Sequence, residues 1–310
     1  MLGVGGLRIL SVALTWAFVT SASSEVAYLA GVFGLGMAHY VASFIYSKRQ
    51  LAEFTSGRRS RLAFAVLLGM GIALAWAPHA HAAKLVYFFA LHHVFNEVYM
   101  VGRIAPSATG AFRAIAIVYH AVVYFAVLMN EEFLAWSVPF LTPQVVAPVL
   151  ALAAAAYAAA WVSLLRSHRG RGLLSVGLMD LGLLALAAAS VAGIIYVHYL
   201  DVVMYHFVLW AFYPVNAFVR RPETAVPSML KYLGVTAGLL VAFIWTATPH
   251  IRPGSPVWTL FFVVSYLHIT TAFALSDAFP SWITVWFQPS RQAATIGSPA
   301  PAHAATPPVP

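Results

Sequence analysis

Cysteine is absent from the 310 residues, and charge is scarce. Without cysteine the chain has no disulfide, no Fe–S cluster, no thiolate-ligated or covalently attached haem, and no thiol nucleophile. Lys and Arg supply only 17 residues and Asp and Glu only 9, so 8% of the chain is charged. An average soluble domain carries about a quarter. So few charges cannot cover the surface of a water-soluble globule of this size. Soluble enzyme, nucleic-acid binder and disordered scaffold are excluded on that ground. The net charge of +8 invites a nucleic-acid reading, but the basic residues are dispersed between apolar runs. They read as topology signals instead.

Hydrophobic residues make up 62% of the chain. A helix spanning a 30 Å hydrocarbon core needs about 20 apolar residues. Ten apolar runs meet that description, near 7–22, 26–46, 62–78, 84–102, 112–130, 145–165, 173–197, 199–218, 229–248 and 257–279. They are continuously apolar rather than alternating, which excludes a β-barrel. The expected fold is an all-α, polytopic transmembrane bundle of about ten helices.

Sorting the basic residues by loop tests the count independently. With the N-terminus in the cytoplasm, the cytoplasmic side receives Arg8, Lys48, Arg49, Arg58, Arg59, Arg61, Arg103, Arg113, Arg166, Arg169, Arg171, Arg220, Arg221, Lys231 and Arg291. The other side receives only Lys84 and Arg252. This bias predicts both termini in the cytoplasm and a bacterial inner membrane as the location. Residues 1–24 also carry signal-peptide features, with Arg8 ahead of an apolar stretch and small residues at 20–24. An uncleaved first helix is expected. One helical domain is expected over 1–287, with Trp282, Trp286 and Phe287 as an interfacial anchor. Residues 288–310, rich in Pro and Ala, are expected to form a disordered cytoplasmic tail.

No Lys or Arg falls in the middle of a predicted span, which excludes a retinal Schiff-base lysine and an arginine voltage sensor. The buried ionisable groups are then His39, His92, His93, Glu97, His120, Asp180, His206 and His268. His198, Asp201 and Asp277 fall at helix ends. His79, His81, His168, His250 and His303 belong to loops and tail. Counting about 1.5 Å per residue puts His92, His93 and His120 roughly 12–14 Å inside their spans, His39 and His206 about 10 Å, and His268 about 16 Å. The midplane is at about 15 Å. Histidines from five helices therefore share one central slab.

Local spacing sharpens the picture. His93 and Glu97 are i,i+4 on one helix, as are His92 and Asn96, one residue round. Ser43 follows His39 by one turn, Ser265, His268 and Thr271 share a face, and His206, Trp210 and Tyr213 make a stripe. Imidazole is the commonest side-chain metal ligand, and polar residues one turn away orient it. The first ligands expected are His39, His92 or His93, His120 and His268. Glu97 is expected as a carboxylate ligand or base, and His206 as a further ligand or proton relay. Asp180 is expected to be a packing residue satisfied by a neighbouring hydroxyl.

The HExxH signature of zinc proteases and the HxxxH and HxxHH boxes of membrane desaturases are absent. Single histidines on several helices near the midplane resemble the arrangement in bacterial membrane carotene-cleaving dioxygenases, whose His-Gly-x-x-Asp-type segment this chain lacks. A deep imidazole cluster suits non-haem iron, and also copper or zinc. The expected function is a metal-dependent membrane oxidoreductase that hydroxylates, desaturates or oxidatively cleaves a lipid or isoprenoid substrate. It would work among membrane lipids, with an external electron donor where the reaction requires one, and without nucleic acid. Two alternatives stand beside it: a haem b electron carrier using paired histidines, and a proton-coupled transporter using the buried His, Glu97 and Asp180. A zinc hydrolase would use the same ligand types.

Overall fold

A computed structural model describes residues 4–54, 57–76, 81–104, 109–167, 171–219, 222–252 and 255–275. The tail at 288–310, the anchor Trp282, Trp286 and Phe287, and His79, His168, Asp277 and His303 lie outside the described residues.

The described chain is helical, with no strand among its residues. In order come α1 (Val4–Ser21), α2 (Glu25–Phe54), α3 (Arg58–Trp76), α4 (His81–Ile104), α5 (Gly110–Val127), α6 (Glu132–Ser137), α7 (Pro143–Ser167), α8 (Arg171–Val191), α9 (Tyr199–Val219), α10 (Pro222–Ala247) and α11 (Pro256–Leu275). Ten of these match the ten apolar runs. The six-residue α6 was not anticipated, because fewer than two turns carry no periodic signal of their own.

Capping explains several boundaries. Thr109 accepts from the amide of Phe112 at 3.2 Å, Ser24 from Ala27 and Ser255 from Trp258, starting α5, α2 and α11. The end of α8 corrects the expected span 173–197: the helix stops at Val191. Gly193 takes φ +71°, a left-handed conformation open to glycine. Its amide bonds to Ser190 and that of Ile194 to Ala189, closing the helix in a Schellman motif. A short strap therefore separates α8 from α9, longer than the tight hairpin or bent pair that spans 173–197 and 199–218 predict. Asn130 donates to the carbonyls of Ser190 and Ile195, and Glu131 accepts from the amide of Tyr199, which fastens the strap.

Two apolar cores fill the bundle. One gathers Val98, Met100, Tyr119, Val123, Tyr157, Trp161 and Leu209 from α4, α5, α7 and α9. The other gathers Val32, Phe33, Val86, Phe89, Phe207, Phe261 and Ile269 from α2, α4, α9 and α11. Helices α4, α5 and α9 contribute to both. Within the second core, α2 passes close to its neighbours at Gly36. A Cβ there would stand 2.7 Å from the Phe207 ring and 2.8 Å from that of Phe261. Glycine permits this approach, one turn below His39.

Among the described residues, four helices are long and apolar enough to cross a membrane by length and composition, within Glu25–Lys48, Gly110–Val127, Pro143–Arg166 and Met229–Thr246. Shorter apolar helices accompany them at Gly5–Ser21, Val176–Val191, Tyr199–Tyr213 and Pro256–Ala272.

Candidate metal centre

His39 on α2, His206 on α9 and His268 on α11 meet in the second core. Each offers a ring nitrogen, and the three nitrogens lie within 4.8 Å of one another. Nε2 of His39 is 3.2 Å from Nε2 of His268. His206 and His268 are 2% and 6% exposed. A cavity of about 230 Å³ adjoins the rings, walled by Ser43, Trp210 and Thr271 among others.

The surrounding hydroxyls orient the ligands. Ser43 has one proton and directs it to the carbonyl of Tyr40 at 2.8 Å. Its oxygen is also 2.8 Å from Nδ1 of His268. Ser43 must therefore accept from an N–H on Nδ1, which leaves the lone pair of neutral His268 on Nε2, facing His39. This is the relationship by which a partner one shell out fixes the tautomer of a metal-binding imidazole. Tyr40 packs on His268 and pairs through its hydroxyl with Ser265 at 2.8 Å.

His92 stands beside the trio, its ring centroid 4.9 Å from His206 and 5.5 Å from His268. Its Nε2 accepts from the side-chain amide of Asn96 at 3.1 Å, the i,i+4 pair expected on this helix.

The remaining expected site residues lie elsewhere. Neighbouring positions on a helix point about 100° apart, and the His93 ring lies between the cores, stacked on Phe89 of the second and meeting Tyr205 of the first. The His93 ring meets Tyr124 and Tyr205, and the ring neighbours of His120 are Tyr119 and Tyr157. The structure does not bring His120 to the trio. Nor does it bring Glu97 there: Oε2 of Glu97 forms an ion pair with Arg8 at 2.5 Å, and Oε1 accepts from the Tyr205 hydroxyl at 3.3 Å. His93 Nε2 lies 4.0 Å from Glu97 Oε1.

Arg8 is the residue that the loop assignment misplaced. It is fully buried in the second turn of α1, not exposed at a boundary. Besides Glu97 it binds Asp180 on α8, Nη1 to Oδ1 at 2.9 Å. The other oxygen of Asp180 accepts from Tyr157 at 2.7 Å, the neighbouring hydroxyl expected for this aspartate. Tyr119 donates to the Asp180 carbonyl at 2.8 Å. One guanidinium thus ties α1 to α4 and α8. The signal was available in two carboxylates within apolar runs with no cation assigned to them, since such groups pair with one another or with opposite charge.

The arrangement is thus two buried polar nests on opposite sides of α4. One is an imidazole cluster without a carboxylate among the described residues, and the other is an ion-paired triad flanked by His93 and His120. No protein-family model, curated protein or solved structure matches this chain, and the geometry alone carries the functional reading.

Proposed function

We propose that the chain is an integral membrane, metal-dependent oxidoreductase whose centre is held by His39, His206 and His268, with non-haem iron as the metal. The observation that carries the reading is the convergence of three imidazoles from three helices to within 4.8 Å, in an apolar core. Nε2 of His39 and Nε2 of His268 stand 3.2 Å apart, and the ring nitrogens of the three histidines would hold the ion. Three protein ligands leave positions open for dioxygen and substrate. Copper and zinc fit the same donors.

The membrane placement, with both termini cytoplasmic in a bacterial inner membrane, rests on the apolar helices and the distribution of Lys and Arg. Large apolar side chains on the outside of the bundle support it: Trp245 is 83% exposed, Leu152 73% and Trp16 69%. An exterior of that kind belongs against lipid. The substrate is then lipid-soluble and arrives laterally. Iron supplies the capacity to use dioxygen on unactivated C–H or C=C bonds, and the chain holds the ligands in register and keeps water away. Cleavage of a C=C bond by dioxygen balances by itself, each oxygen atom ending as a carbonyl oxygen. Hydroxylation and desaturation each draw two further electrons from an external donor.

The test is metal analysis of the protein purified in mild detergent, with an optical spectrum of the same sample. Iron near one per chain without a Soret band supports the reading, provided that alanine at His39, His206 or His268 removes it. A Soret band would mean haem b, and stoichiometric zinc a hydrolase. No metal after reconstitution with iron, copper and zinc would turn the assignment to a transporter.

A further inference from the structure

The triad side of α4 carries a second feature, distinct from the imidazole cluster. Helices α1, α4, α5, α8 and α9, with the strap at 195–197, enclose a cavity of about 490 Å³. Its walls are mainly aliphatic, including Val12, Val19, Val123, Leu183 and Leu186. Val12 and Leu186 are exposed on the outside of the bundle, so the cavity reaches its lateral surface.

Polar side chains also line this cavity, among them Thr15 from α1, His93 from α4 and His120 from α5, beside Thr20, Asp201 and three tyrosines. Thr15 is 7% exposed and His120 3%. Thr15 Oγ1, His93 Nδ1 and His120 Nε2 are buried, and none has a hydrogen-bond partner within the protein. An unpaired buried polar atom is costly, and native interiors keep few of them. Three such atoms on one cavity wall are the pattern of a ligand site: an apolar chamber with a few convergent polar groups.

The polar head has to be neutral and has to both donate and accept. Arg8, Glu97 and Asp180, which lie next to His93 and His120, carry a formal excess of one negative charge, and Asp201 lines another part of the wall. A carboxylate or phosphate head would be repelled there. An ammonium only donates and a carbonyl only accepts, whereas neutral imidazoles present N–H and lone pair alike. A hydroxyl donates once and accepts twice, which matches Thr15, His93 and His120 together.

We propose that this cavity binds an apolar molecule headed by a hydroxyl group, of the isoprenoid-alcohol or hydroquinone type, with the hydroxyl held by Thr15, His93 and His120. The His93 ring is 6.1 Å from that of His206, and Phe89 stacks on His93 while its edge meets His206. The head therefore sits one side chain from the metal trio. As the substrate or electron-donor pocket of that centre the site rests on the oxidoreductase reading; as a binding site it stands on the cavity alone.

The test is equilibrium binding of radiolabelled farnesol and of a radiolabelled short-chain benzoquinol to the full chain in phosphatidylcholine nanodiscs, with unlabelled palmitate as competitor. Saturable binding of either probe near one per chain is expected, and which probe binds identifies the head. Thr15→Val, which keeps the side-chain shape, should weaken binding by about tenfold, the loss expected for one buried hydrogen bond. Leu183→Trp, which fills the chamber, should abolish binding, and palmitate should not compete. His39→Ala should lose metal yet keep the probe, so failure of the metal reading and failure of this one are read separately. Absence of saturable binding by both probes, competition by palmitate, or unchanged affinity in both cavity variants overturns the proposal.

Discussion

Ser43 Oγ lies 2.8 Å from Nδ1 of His268 and turns the opposite nitrogen of that ring toward His39. A hydroxyl that binds no metal thus determines which histidine nitrogen is available to one. Ser43→Ala should leave the bundle folded and lower metal affinity by about 10–100-fold, the usual cost of losing such an orienting bond. Competition with a chromophoric chelator measures it.

The histidines divide into two groups with different fates. Alanine at His39, His206 or His268 should each remove the metal, since each supplies one of three ligands. His120→Ala should retain it, because that ring packs against Tyr119 and Tyr157. Metal-to-protein ratios across the four variants check the division, and loss of metal in His120→Ala would break it.

Gly36 sets the distance between α2 and its neighbours. In Gly36→Ala the new methyl meets the rings of Phe207 and Phe261 at under 3.0 Å, so the rings must turn or the helices shift. Overpacking of this kind costs about 1–3 kcal/mol. Thermal unfolding in detergent should show that loss, and metal content should fall with it, because His39 rides on the same helix.

Arg8→Met should be among the most damaging single changes in the chain. It leaves two buried carboxylates without their cation, a loss of about 3–5 kcal/mol. Adding Glu97→Gln and Asp180→Asn should recover much of that stability, since the triad is then neutral throughout. Unfolding midpoints of the single and triple variants decide the matter, and a triple variant no better than the single would contradict the ion-pair account.

The helices were legible because an apolar run of span length is a strong and local signal. The shared depth of His39, His206 and His268 was legible for the same reason: rise per residue converts sequence position to height. Direction around the helix is not fixed by height. His120 lies at a similar expected depth to His92 yet faces α7 and α8, and His92 and His93 are adjacent in sequence but serve different nests. Arg8 was read as a loop charge because it stands so near the chain start. Its burial depends on Glu97 and Asp180, which only the packed bundle brings to it. The membership of His206 in the trio, expected only as an extra ligand or relay, likewise depends on how α9 packs against α2 and α11.

The Arg8–Asp180 pair, separated by 172 positions, also constrains the order of biosynthesis. At about 5–20 residues per second, α8 leaves the ribosome roughly 10–30 s after α1. During that interval, in the membrane placement proposed above, the guanidinium has no aspartate to meet and must stay near the headgroups, where a long side chain can keep its charge hydrated. The first helix would then sit provisionally until α4 and α8 arrive, and its final depth would be set late, by helices made long after it.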